Sequence, residues 1–394
     1  MAATAITRTI LPRTVIVLGL VSFLNDAASE MIAPLLPLFL TAVLGAGPLI
    51  VGLIEGLAEA TASLLKLISG RLADRGWNQK RMIFSGYLIS NTARPLIAIA
   101  FSWAWVILLR FLDRVGKGLR TTPRDAMIAG AVDSSCRGRA FGFHRAMDHA
   151  GAIVGPLAAF LLLQNGAEMR EVFLWSLIPG VLLLLLLAFG VPSTPPVVIT
   201  RPPPLNWKAL DSRLRGMIVC AGGLAFAAAP EAFLVLWAQA QGLDIVWVPL
   251  LWAAAHAVKT LIAIPAGSLS DRIGRLPVVI GGWTLRVVIL LMLALLDNGV
   301  IMVWCLFLAY AAALASTEGA ERALIGDYAP ANQKATAFGL YHMLSGLLAL
   351  PGAMLFGALW QWIGMTSAFL TAAVVTGLMA ALMITIYRKS TRSV

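Results

Sequence analysis

A chain of 394 residues could hold two soluble domains, yet only 12% of it is charged and 59% is apolar. A water-facing surface needs about a quarter charged residues, so most of this chain is solvated by lipid. The formal charge of +11 would suit nucleic acid, but the basic residues cluster at the ends of apolar segments, and no nucleic-acid partner is expected.

A bilayer span takes about 20 mostly apolar residues. In chain order such segments fall at 14–40, 48–70, 82–101, 104–124, 139–163 and 171–191, then at 213–239, 245–268, 277–296, 299–322, 335–360 and 365–387. The first is too long for a cleaved signal and carries Asp26 and Glu30. Residues 192–212, with Pro202, Pro203 and Pro204, read as a cytoplasmic linker between an N-terminal six-helix half (1–191) and a C-terminal one (213–394). With the N-terminus inside, twenty Lys/Arg fall in cytoplasmic segments, nine within spans, and only Arg170 outside. That bias puts both termini in the cytoplasm of a multi-pass inner-membrane protein. Trp103, Trp105, Trp175, Trp247, Trp304, Trp360 and Trp362 fall near the outer ends, as an interfacial belt would. Cys136, Cys220 and Cys305 show no paired spacing, so neither a disulfide framework nor a zinc site is expected.

Half a chain apart, the sequence repeats. Gly70-Arg-Leu-Ala-Asp74-Arg75 returns 197 residues later as Gly267-Ser-Leu-Ser-Asp271-Arg272, and Ala140-Phe141-Gly142 returns in the same register as Ala337-Phe338-Gly339. With six spans per copy the repeats share orientation. The fold class is therefore an all-α membrane protein of about twelve transmembrane helices, in two six-helix bundles related as parallel repeats. Such repeats place a binding site between halves that rock against each other.

These residues resemble the major facilitator superfamily, and the resemblance covers essentially the whole chain. Gly70-x-x-x-Asp74-Arg75 is similar to its loop signature, and Asp271-Arg272-x-Gly274-Arg275 to the second copy. Arg110, Arg114, Gly116 and Gly118 resemble its fourth-helix pattern, and Gly151-x-x-x-Gly155-Pro156 the Gly-Pro signature of its antiporters. Asp26 followed by Pro34 and Pro37 is similar to its drug/proton antiporters. Two positions depart: Gly76-Trp77-Asn78 interrupts the first loop signature, and Ala158-Ala159 replaces the usual Gly-Gly. The resemblance implies the twelve-helix layout and an antiporter.

Asp74 and Asp271, beside Arg75 and Arg272, sit where an acid would latch the inner gate, with Arg124 and Arg322 as partners within reach. A loop anchor that serves only topology is the competing reading. Gly151, Gly155 and Pro156 allow close helix approach and a bend, and plain packing would need the same residues.

Ionisable groups inside spans are costly, about 2.5–3.5 kcal/mol each at the bilayer centre on insertion scales, and usually face a cavity and a partner. Asp26 and Glu30 share a face of helix 1, and Glu55 and Glu59 a face of helix 2, with Lys66 further along it. These four acids are the candidates for proton coupling, Asp26 first. Arg94, Arg110, Asp113, Arg145, Asp148, His149, Glu231 and His256 are the candidates for the substrate cavity. Most of these charges lie in the first half, so coupling chemistry is expected there and a shape-selective wall in the second. Static ion pairing is the alternative for each, most strongly for Arg114, Lys117 and Arg120, while Lys66 could snorkel to the interface. His144, His149, His256 and His342 are scattered over three helices, which argues against a metal centre.

The reading that follows is a proton-coupled exporter of a small organic solute, anionic or metal-chelating, working by alternating access as a monomer in the lipid bilayer. Export of a metal ion or chelate, and proton-driven uptake, are the other transport readings. No cofactor is expected. No zinc-protease, P-loop or dinucleotide motif occurs, which argues against an enzyme and an ATP-driven pump; a receptor would transport nothing.

Overall fold

The computed structural model describes residues 11–133, 136–191, 207, 210, 212–296, 299–329 and 334–391. Among them the chain is helical throughout, with no strand. We number the spans α1 (Arg13–Val43), α2 (Pro48–Asp74), α3 (Gln79–Ala93), α4 (Trp103–Gly130), α5 (Arg137–Gln164) and α6 (Met169–Gly190), then α7 (Leu214–Ala240), α8 (Val248–Ile273), α9 (Arg275–Leu295), α10 (Val300–Tyr328), α11 (Lys334–Trp362) and α12 (Met365–Thr391).

Ten of these are long and apolar enough to cross a membrane. The exceptions have local causes. α3 ends at Ala93 because Pro95 follows, and it continues as a 3-10 turn over Pro95–Ile99. α4 carries the run of charges from Arg110 to Asp125, which its neighbours screen from lipid.

Both α1 and α7 are broken near their middles. The α-helix of α1 stops at Ile32, Pro34 lies in a turn, and the chain resumes through Leu36–Leu38 into a π-helical turn at Phe39–Val43. In α7 the helix stops at Phe226 and restarts at Glu231 after Pro230. At Pro34 the helix is therefore fully interrupted, with a counterpart in the second half. The α2–α3 and α8–α9 connections each turn on a left-handed glycine, Gly76 at φ 89° and Gly274 at φ 96°. Asn78 then caps α3 by accepting from the Arg81 amide at 3.0 Å.

The apolar cores reveal how the bundles meet. We call the end bearing Arg13 and Thr391 proximal and the opposite end distal. One large distal core joins both bundles, running from Phe39 and Phe173 to Phe233, Trp237, Phe356 and Phe369. At the proximal end the bundles have separate cores, one around Val15, Ile83 and Leu187, and others around Met217, Trp283 and Leu214. The molecule is closed distally and parted proximally. Of the expected linker, Trp207, Leu210 and Ser212 are the described residues, and Leu210 is buried against Leu214, Ile218 and Ile325 of the second bundle. The rest of 192–212 lies outside the described residues.

Candidate functional site: a charged cavity between the bundles

Between the parted bundles lies a cavity of about 630 Å³. The first bundle lines it with Asp26, Glu30, Glu55, Glu59 and Asp148, and with Lys66, Arg94, Arg110, Arg114, Lys117, Arg120, Arg124 and Arg145. Among the described residues the second bundle contributes five alanines, Pro230 and Trp252, and only Glu231, His256 and Arg322 as ionisable groups. The wall is charged on one side and small on the other, and the interruption of α7 supplies Ala228, Pro230 and Glu231.

The arginines are organised around an acid that does not face the cavity. Asp113 is 1% exposed and is not among the lining residues. Its carboxylate meets Arg94 Nε at 2.9 Å, Arg114 Nη2 at 2.9 Å and Arg110 Nη1 at 3.6 Å. Arg94 Nη1 also donates to Asn25 Oδ1 at 3.0 Å and to Asn91 Oδ1 at 3.2 Å. Arg120 donates to the Ser90 hydroxyl at 2.6 Å and lies over the Tyr87 ring at 4.5 Å. Three guanidiniums from two helices need one counter-charge, and that need places Asp113 behind the wall instead of on it. His149 also stands outside the lining residues.

The four proton-coupling candidates separate by partner. Glu55 accepts from Arg110 Nη2 at 3.3 Å. Glu30 accepts from the Trp252 indole N–H at 2.9 Å, with His256 Nε2 3.7 Å away. Asp26 and Glu59 have no cationic nitrogen within 4.0 Å among the described residues. Among the described residues Asp26 accepts a side-chain hydrogen bond from the Asn25 amide at 2.8 Å, and Glu59 one from Ser63 Oγ at 3.4 Å. In the second bundle Glu231 is paired with Lys259.

Gly151 and Gly155 pack α5 onto α1 beside Asp26. A methyl group on Gly151 would lie 2.3 Å from the Phe23 carbonyl oxygen and 3.1 Å from Asp26 Cβ; on Gly155 it would lie 2.3 Å from the Ala27 carbonyl oxygen. Pro156 is buried within the same helix.

The arginines expected to latch the loop acids are engaged elsewhere. Arg124 holds Asp125 at 3.0 Å and donates to Ser22 Oγ at 3.2 Å. Arg322 holds Glu318 at 2.6 Å. Asp271 is paired with Arg275, which also reaches Asp327 at 3.5 Å, so the second loop is tied to the end of α10 through Arg275. The Asp74 side chain lies outside the described residues. Arg75 and Arg272 are exposed, and Gly70 lets α2 approach Thr122 of α4. Arg145 is half-exposed at the cavity mouth, 3.9 Å from Glu318 across the two bundles.

The chain matches the Major Facilitator Superfamily over residues 18–259 and again over 250–393. It belongs to the major facilitator superfamily. An uncharacterised MFS-type transporter of Methanocaldococcus jannaschii is 31% identical over 366 residues, covering 89% of each chain. The multidrug resistance protein MdtH of Photorhabdus laumondii is 32% identical over 135 residues, 34% of this chain and 33% of its own length. Among solved structures, a bacterial homologue of the human lysosomal transporter Spinster, inward-facing and occupied, has a TM-score of 0.78 at 16% identity, covering 95% of this chain and 96% of its own. The fold expected from the repeat and the loop signatures is thus the MFS fold, and this MFS chain is a multi-pass membrane transporter of small molecules, not an enzyme.

Sequence reasoning overlooked several lining or tying residues: Ser29, Asp125 and Trp252. Trp252 was the accessible one, since it stands four residues before His256 on α8 and so shares its face.

Proposed function

We propose that this chain exports a small organic anion from the cytoplasm in exchange for protons, with Asp26 carrying the proton. The observation that carries the reading is the state of Asp26. It lines a cavity crowded with cations, yet none lies within 4.0 Å of it among the described residues, whereas Glu30, Glu55 and Glu231 are all engaged; Glu59 shares that lack of a partner but is exposed, where Asp26 is half-buried. A carboxylate without a fixed counter-charge in a partly dehydrated site gains and loses a proton more readily than a paired one.

The excess of Lys and Arg on the first-bundle wall favours an anionic solute. The positive-inside bias supports a cytoplasmic proximal end, from which the open cavity would load, and the partial likeness to MdtH supports export. Residues 192–212 would tether the halves, with Leu210 anchored on the second. Among the described residues no group of three or more His, Cys, Asp or Glu is arranged to hold a metal ion, which disfavours a bare metal as cargo.

The test uses proteoliposomes that contain a pH-sensitive dye. Adding the transported anion on the cavity side should drive proton movement in the opposite direction. Anion movement with no accompanying proton flux would overturn the exchange reading.

A further inference from the structure

Two lysines narrow the class of anion, given the anion-export reading above. α2 and α4 cross with almost no space between them. A methyl group on Gly118 would meet Leu65 Cβ at 2.4 Å, Ser69 Oγ donates to the Gly118 carbonyl at 2.8 Å, and Thr122 Oγ1 donates to the Lys66 carbonyl at 2.9 Å. The crossing holds Lys66 and Lys117 at one level on adjacent helices, and both side chains line the cavity.

Their neighbours are committed and they are not. Arg94, Arg110 and Arg114 converge on Asp113, and Arg124 holds Asp125. Neither Lys66 nor Lys117 has a carboxylate oxygen within 4.0 Å among the described residues, and neither ammonium donates a hydrogen bond there. Glu59, seven residues before Lys66 on the same face, is the nearby acid of both lysines but forms an ion pair within 4.0 Å with neither. An ammonium in a membrane interior is expensive without a counter-charge. Two such groups facing one aqueous cavity form a site that an arriving ligand completes, and a singly charged ligand would leave one of them bare.

We propose that the cavity takes a small doubly charged organic anion, a dicarboxylate or a phosphate monoester, with its negative charges set against Lys66 and Lys117. The planar guanidinium forks of Arg94, Arg110 and Arg114, which would select a carboxylate by shape, are already turned to Asp113, while Arg120 is bonded to Ser90 and Asn25 and Arg124 to Asp125. Lysine acts as a point charge with three rotatable donors, so the site selects charge over shape and admits both kinds of dianion. The alanine-rich second-bundle wall leaves the remainder of the solute facing mostly small side chains.

The experiment is calorimetric titration of the purified full-length protein with three four-carbon probes: butyrate, succinate and butyl phosphate. At least one dianion should bind about tenfold more tightly than butyrate. Lys66→Gln and Lys117→Gln should each bring that dianion to within about twofold of butyrate. Butyrate binding should persist in both variants, which shows that the site is intact, and Lys66→Arg and Lys117→Arg should restore the preference. Equal binding of all three probes, or a preference that survives both glutamine variants, overturns the dianion site alone. Failure of every probe to bind overturns the anion-export reading along with it.

Discussion

The Trp252 indole N–H donates to the Glu30 carboxylate at 2.9 Å, and His256 Nε2 lies 3.7 Å from the same oxygen. Glu30 belongs to α1 and the other two to α8, so the contact ties the two bundles where the cavity meets the shared distal core. A hydrogen bond to a charged group contributes about 1.5–3 kcal/mol, enough to bias a carrier whose two states differ by a few kcal/mol.

Trp252→Phe keeps an aromatic ring against Phe307 and removes the tie. It should shift the population towards the distally open state by about tenfold. The measurement is the labelling rate of Ala46→Cys, a buried distal position, in a background lacking Cys136, Cys220 and Cys305. An unchanged rate would mean that the apolar core alone holds the distal end shut.

Asp113 and Arg94 should behave as structural residues, unlike Arg145. Removing one partner from a buried ion pair costs about 3–5 kcal/mol, and Asp113→Asn would leave three guanidiniums short of a counter-charge. Asp113→Asn and Arg94→Ala should therefore lower the unfolding midpoint sharply, while Arg145→Ala, half-exposed at the mouth, should leave it nearly unchanged and affect transport. Arg170 is a poor neutral control. It donates to the Ala98 carbonyl and lies 4.9 Å over the Phe39 ring, so Arg170→Ala should also cost stability. Midpoints measured in detergent by intrinsic fluorescence decide all four.

The spans were legible because hydropathy reports what lipid touches. Their proximal ends were not: α2 runs to Asp74, α4 to Gly130 and α10 to Tyr328, four to six residues beyond the expected boundaries. Each added turn carries an acid (Asp74, Asp125 and Asp327), so apolar content no longer marks it. The acids and bases of the cavity were legible as costly groups within spans. Their pairing was not, because Asp113 gathers partners from α3 and α4, and Glu30 from α8. Spacing along one helix cannot show a contact made with another helix. Lys117 illustrates the difference: on α4 it looks like one more stacked base, and only the crossing with α2 reveals that it faces Lys66.

Gly151 sits where α5 touches the backbone of α1 beside Asp26. A methyl group there must displace the Phe23 carbonyl, 2.3 Å away, and that atom is backbone. Gly151→Ala should cost about 1–3 kcal/mol, seen as a lower unfolding midpoint. Because α1 would be pushed at the level of Asp26, the pH dependence of transport should move as well. A variant of full stability would show that the two helices separate without penalty at this point.

Asp26 and Glu59 are the two coupling candidates that have no cation within 4.0 Å among the described residues, and they differ in setting. Asp26 is half-buried, is held by Asn25, and lies one turn before Glu30 and two turns before the interruption of α1 at Pro34. Glu59 is exposed and lies on the α2 face that leads to Lys66. If α1 pivots at its interruption, Asp26 would sense which side is open, whereas Glu59 would remain beside the anion. Asp26→Asn should therefore abolish the response to an imposed pH gradient and still allow the anion to equilibrate down its own gradient. Glu59→Gln should keep the response to the gradient and alter anion affinity by several-fold, about the effect of one partly screened charge. Uptake into proteoliposomes at matched and mismatched internal pH separates the outcomes. If Asp26→Asn still concentrates the anion in proportion to the pH difference while Glu59→Gln does not, the two roles are reversed.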